Sequence, residues 1–321
     1  MTHKHLHHIK VASGFLIATW LITSSLIGQP ATETTGPYKA VMEMDPSLPQ
    51  HTVYRPADLA KVKGKLPVVA FANGACANAG NAFENYLAEV ASHGFVVAAN
   101  GPIDPAAPGR PPKPGSNPQP PPAPPSGGRS PFVQTKTSQL YETMDWAKVQ
   151  NADRASRYSG KLDLGSIAVM GQSCGGLQAL EAAGDPRVKT AVILNSGIIR
   201  DRATLPNTLP VGSIMPGTPE TLTRLHTPLI YIIGGETDIA YKNAETDFAE
   251  IQKVPLFKAN LTGVGHNGTL WQPHGGKFAE VATRWLLWQL KGDETAMQTF
   301  AGENCALCQD PAWKIERKNF K

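Results

Sequence analysis

The chain has 321 residues, 41% of them hydrophobic and 17% charged, with a net charge of +4. That is a globular composition, long enough for one large or two small domains, and a single α/β domain fits once the ends are trimmed. No basic stripe interleaved with aromatic residues runs along it, so nucleic acid is not an expected partner.

The N-terminus reads as a targeting segment. "MTHKHLHHIK" is a short basic start, and "VASGFLIATWLITSSLIG" (11–28) follows with eighteen uncharged residues. A positive n-region before an apolar h-region marks export. About 18 apolar residues also just span a bilayer, so residues 1–31 are expected to be a signal peptide or, if retained, an N-terminal anchor. A membrane is a partner only in the second case. Either way the domain is expected outside the cytoplasm, secreted or periplasmic. The His cluster "HKHLHH" has no further ligands nearby and is not read as a metal site.

The elements follow in chain order. Residues 38–56, "YKAVMEMDPSLPQHTVYRP", alternate and break at Pro46 and Pro49, predicting two strands joined by a turn. "LPVVAFANG" (66–74) is a continuous apolar, β-branched run, as in a strand buried on both faces. "NAFENYLAEVASHG" (81–94) has helical spacing and stops at Gly94, and "FVVAANG" (95–101) is the next buried strand. Residues 101–131 contain thirteen prolines, a composition that excludes helix and sheet and favours extended polyproline II. This run interrupts the domain as a surface insertion or as a rim over a site. It is not a linker, because the strand and helix pattern resumes beyond it.

Then come a helix (137–151), a strand "SIAVMG" (166–171), a helix "GGLQALEAAG" (175–184) and strands at 189–197 and 228–236. A helix (243–252), a last strand within 255–266 and a last long helix (275–292) complete the pattern. The basic end "WKIERKNFK" reads as a solvated tail. Buried strands alternating with helices predict an α/β fold, a mostly parallel central sheet with helices on both faces. Ligands of such sheets sit at the carboxyl ends of the strands, where Ser173, Ala75, Asp238 and His266 all fall.

Four cysteines in an exported chain suggest two disulfides, with three possible connectivities. Cys305 and Cys308 form "CALC", which lacks the partner pair of a zinc site and reads as a local bridge. Cys76 and Cys174 are left as a second bridge or as two buried free thiols.

"GQSCG" (171–175) matches G-x-S-x-G between a strand and a helix of small residues. In that turn a strained backbone presents the serine, and glycines stand where side chains would clash. Ser173 is therefore the expected nucleophile, and Cys174, one position later, aims its backbone N–H at the developing oxyanion. A serine needs a base and the base an orienting acid, in the chain order Ser, Asp/Glu, His. His266 in "LTGVGHNGT" directly follows a strand and is preferred to His274 and to His226, which precedes one. Asp238 is preferred to Glu236 in "LIYIIGGETDIAY". The second oxyanion donor is expected from "ANGACANAG", at Ala75 or Cys76, which spacing does not separate. Two N–H groups converging on one oxygen bring the two turns close enough for a Cys76–Cys174 bridge.

"FANGACANAGNAFENYLAEVASHGFVVAANG", "QLYETMDWA", "IAVMGQSCGGLQAL", "GGETDIAY" and "GVGHNGT" together resemble the secreted α/β-hydrolases related to cutinases, polyester hydrolases, chlorophyllases and dienelactone hydrolases. The resemblance runs over residues 36–293, the expected catalytic domain. The remaining 294–321 are similar to the disulfide-bearing extension of cutinase-like enzymes. It implies an α/β-hydrolase fold and carboxylic-ester hydrolysis with no metal or organic cofactor. It also implies Ser173 as nucleophile, Asp238 as acid and His266 as base, with Cys174 and the Ala75–Cys76 loop at the oxyanion positions. A monomer acting on a small or polymeric ester is expected. Polyester hydrolases carry an aromatic residue in the first oxyanion loop and a Trp after the strand that follows the nucleophile helix. Here those places read "NGACAN" and "LNSGII", so no aromatic clamp is expected and a smaller or more polar ester is. The same triad also serves acyl transfer and peptide hydrolysis. A non-catalytic surface binding protein on this fold is a further alternative, against which the complete Ser, Asp and His set argues.

Overall fold

The computed structural model describes residue 1 and residues 28–107, 134–201 and 215–320. Residues 2–27, most of the segment 1–31 expected to be a leader, and most of the proline run lie outside the described residues.

Ten strands form one sheet among the described residues. They are β1 (Gln29–Pro30), β2 (Ala40–Met44), β3 (His51–Pro56), β4 (Leu66–Ala72), β5 (Val96–Asn100), β6 (Leu162–Gln172), β7 (Val188–Leu194), β8 (Leu229–Ile233), β9 (Leu256–Leu261) and β10 (Trp313–Lys318). Their order is β1-β2-β3-β5-β4-β6-β7-β8-β9-β10. From β5 to β9 every neighbouring pair is parallel. The pairs β1–β2, β2–β3, β3–β5 and β9–β10 are antiparallel. The sheet is thus mostly parallel, as expected.

Side chains alternate across it with period two. In β4, Val69 and Phe71 enter one core and Val68 and Ala70 the other. The first core is closed by α1 (Glu84–Ser92) and α5 (Gly276–Lys291), through Tyr86, Leu87, Phe278 and Trp285. The second is closed by α2 (Ser138–Ala152), α3 (Cys174–Ala182) and α4 (Tyr241–Glu250), through Leu140, Met144, Leu180 and Ala244. Burial on both faces is why β4 and β8 read as unbroken apolar runs.

β4 pairs with β5 on one side and β6 on the other. The chain therefore winds outward in both directions from the β4–β6 pair. At such a switch point the loops after neighbouring strands diverge and leave a crevice at the carboxyl edge.

The C-terminal end departs from expectation. "WKIERK" is no solvated tail: it is β10, paired in antiparallel register with β9 from Trp313↔Leu261 to Lys318↔Leu256. Its alternation of Trp313 and Ile315 with charged residues is a strand pattern that its positive charge obscured. Two short helices, α6 (Glu294–Met297) and α7 (Ala306–Gln309), lead into it, and Phe300, Leu307 and Trp313 join the first core. The final strand is therefore β10 rather than the one within 255–266.

Candidate active site

Ser173 sits between β6 and α3 with φ 54° and ψ −119°. A non-glycine residue in such a conformation stores on the order of 1–3 kcal/mol, so its surroundings must hold it. Its N–H donates to Leu194 O at 2.9 Å. Its carbonyl accepts from Ser196 Oγ at 2.7 Å and from the Gly176 N–H at 2.9 Å. The motif glycines are required by contact: a Cβ on Gly175 would lie 2.0 Å from Ala72 O, and one on Gly171 would lie 2.1 Å from Gly175 O. α3 starts at Cys174, one residue earlier than the sequence reading placed it.

His266 follows β9 and Asp238 follows β8, both past the carboxyl ends of their strands. Their loops touch. Gly265 N–H donates to Gly234 O at 2.7 Å, and a Cβ on Gly234 would lie 1.8 Å from Gly265 O. His266 Nδ1 lies 2.6 Å from Asp238 Oδ1, and Nε2 lies 2.8 Å from Ser173 Oγ. A carboxylate only accepts, so Nδ1 carries the proton and Nε2 is left to accept the serine hydroxyl.

Asp238 is buried and held from several sides. Oδ1 also accepts from the Ala240 N–H at 2.9 Å, while Oδ2 accepts from Asn195 Nδ2 at 2.7 Å and from the Gly234 N–H at 3.2 Å. Burial pushes the carboxyl up, but the hydrogen bonds from His266, Asn195 and Ala240 outweigh it and hold the group below its ordinary value. The carboxylate stays ionised.

The other candidates stand elsewhere. His274 donates through Nδ1 to Glu33 O at 2.9 Å. His226 precedes β8, at the amino edge of the sheet, and Glu236 is exposed to solvent.

After β4 the chain makes one 3-10 turn, Gly74–Cys76, in which Ala75 (φ 53°) and Cys76 (φ 51°) are both left-handed. The Cys76 N–H donates to Asn73 O at 3.2 Å. The Ala75 N–H occupies the second position of the turn, and Cys174 the first of α3, where helix geometry provides no internal acceptor. Cys76 and Cys174 are joined by a disulfide, with Cα atoms 5.2 Å apart and a sequence separation of 98. Cys305 and Cys308 form the second bridge. Beyond the proline run the chain returns to this turn, where Thr135 N–H donates to Cys76 O at 2.8 Å.

Three residues of the site were not singled out from sequence. Asn195, directly after β7, donates to Asp238 and, at 3.2 Å, to Gly265 O. Gln172, the variable residue before Ser173, donates from Nε2 to His266 O at 2.9 Å. The available signal was a polar residue ending a buried strand. A third is Trp271, in the loop after His266. It lines a cavity of about 350 Å³ together with Ser173, His266, Ala75, Phe83 and Ile239. An aromatic wall is therefore present, contrary to expectation, and it comes from a different loop.

No known family model and no curated protein sequence matches the chain. The site consists of a hydroxyl bonded to an imidazole that is bonded to a buried carboxylate, with backbone N–H groups at two helix starts beside it. That set can move a proton off an oxygen nucleophile.

Proposed function

We propose that the chain is a serine hydrolase working through a covalent acyl-enzyme on Ser173. More particularly, it is an exported carboxylic-ester hydrolase on an α/β-hydrolase fold. The observation that carries this reading is the continuous hydrogen-bonded line from Asp238 through His266 to Ser173, at 2.6 and 2.8 Å. Support for the fold comes from the strained G-x-S-x-G turn after a central parallel strand and the chain order Ser, Asp, His. Support for export comes from the apolar leader and from two disulfides, which persist in oxidising compartments.

Ser173 Oγ attacks the ester carbonyl carbon while its proton passes to His266 Nε2. The carbonyl electron pair moves onto oxygen, facing the N–H groups of Cys174 and Ala75. Collapse of the tetrahedral species breaks the bond to the alcohol oxygen, which takes the proton from Nε2 and leaves. Water then attacks the acyl-enzyme by the same route, and Ser173 recovers its proton. Asp238 stays ionised throughout, holding the imidazole in one tautomer and stabilising its cationic form.

Turnover of p-nitrophenyl acetate by wild type and Ser173→Ala tests the reading. The variant should lose several orders of magnitude in kcat, as removal of a catalytic nucleophile does. Loss of less than tenfold would reject it. A fluorophosphonate probe should label Ser173 and no other residue.

A further inference from the structure

We infer that Trp271 is the specificity-determining residue of this site, and that the preferred substrate is an uncharged ester bearing a flat aromatic ring that stacks on the indole. This rests on the reading of Ser173 as nucleophile.

The indole is fixed before any substrate arrives. Its Nε1–H donates to Ala82 O at 3.0 Å, and its backbone carbonyl accepts from Asn85 Nδ2 at 2.9 Å. Phe83 lies against it with ring centroids 6.0 Å apart and planes 18° from parallel. Phe83 is itself buried and packed edge-on against Phe71. One face of the indole is thus backed by an aromatic stack rooted in the core. Trp271 nevertheless keeps 40% of its surface exposed, and it lines the cavity that holds Ser173 and His266. A large aromatic residue held this rigidly and left this open is unusual in a protein whose other large rings are mostly buried.

The rest of the lining narrows the ligand. Ile239, beside Asp238, is 64% exposed at the same cavity, and Ala77, Ala79 and Ala82 add small apolar surface. Apart from His266, no lining side chain among the described residues is acidic or basic, so none of these pairs with a charged substrate. At about 350 Å³ the cavity is at the small end for organic ligands. A rigid planar surface favours a second flat ring over a flexible alkyl chain, which must give up rotamer freedom to lie on it.

The test compares ethyl benzoate and phenyl acetate with their alkyl counterparts, ethyl hexanoate and butyl acetate, on wild type and on Trp271→Phe, Trp271→Leu and Trp271→Ala. The aryl-to-alkyl ratio of kcat/KM should exceed one in at least one pair for wild type. In that pair it should fall roughly three- to tenfold in the Leu and Ala variants, the range of one aromatic pair, and largely survive in Phe. A smaller fall, an equal loss on aryl and alkyl esters, or an alkyl preference in wild type overturns it. Binding of ethyl benzoate to Ser173→Ala, with and without Trp271→Leu, measured by titration calorimetry, separates the two readings. If Ser173 is not the nucleophile, the turnover controls fail while the Trp271-dependent binding remains.

Discussion

Asn195 shows how much of the site depends on one buried side chain. It sits at φ 45°, a left-handed conformation that asparagine tolerates better than most residues, and from there its amide reaches the oxygen of Asp238 distal to His266. Asn195→Ala leaves that oxygen with the Gly234 N–H alone. The imidazole then loses part of its orientation, and kcat should fall about tenfold with KM changed less than twofold in steady-state kinetics. A second consequence concerns pH. The Asp238 carboxyl is held below its ordinary value, so it binds its proton more weakly folded than unfolded. The stability it confers is complete above the unfolded carboxylate value of about 4 and fades as pH falls through the folded value. Asn195→Ala weakens that preference. Urea unfolding between pH 6 and pH 3 should show a smaller acid-induced loss for the variant, from a lower starting stability.

At the scale of elements, the disulfide between Cys76 and Cys174 ties the turn after β4 to the start of α3. These are the two places whose backbone N–H groups face the site under the proposed mechanism. A bridge closing so long a loop typically stabilises by about 2–5 kcal/mol, whereas the Cys305–Cys308 bridge closes only a few residues and constrains the unfolded chain much less. The paired substitution Cys76→Ser with Cys174→Ser should therefore lower unfolding free energy far more than Cys305→Ser with Cys308→Ser. It should also reduce kcat more than it raises KM, because misaligned donors weaken binding of the charge that develops only in the transition state. Unchanged kcat in a folded variant would assign the bridge to stability alone.

For the whole molecule, the decisive feature is how the sheet ends. β10 covers the edge of β9 that an open parallel sheet would expose to another chain. The cover is fastened by Lys258 of β9, almost wholly buried, which pairs with Glu245 of α4 and, at 2.5 Å, with Glu316 of β10. The ammonium also lies 4.8 Å from the Phe248 ring centroid. Removing both carboxylates, as Glu245→Gln with Glu316→Gln, leaves a buried cation without counter-charge and should cost about 3 kcal/mol or more. Lys258→Met removes the charge itself and should cost less. Thermal unfolding of the two variants decides the order.

Much of this architecture was legible in the sequence because it is locally encoded. The apolar runs of β4, β5 and β8, the helical spacing that follows them and the glycines of "GQSCG" act over a few residues each. Strand ends in a parallel sheet share one edge, so Ser173, Asp238 and His266 were placed on that edge by order alone. What tertiary structure decided are pairings between distant residues. The carboxylate of Asp238 meets Asn195 only because β7 lies beside β8. Trp271 becomes a wall of the cavity only because Phe83 and Ala82, nearly two hundred residues earlier, hold it there. "WKIERK" is a strand because β9 offers an unpaired edge, and the Cys76 N–H is occupied by a hydrogen bond to Asn73 O. Local sequence sets what a segment prefers to be; which partner it meets depends on chain crossings that no short window contains.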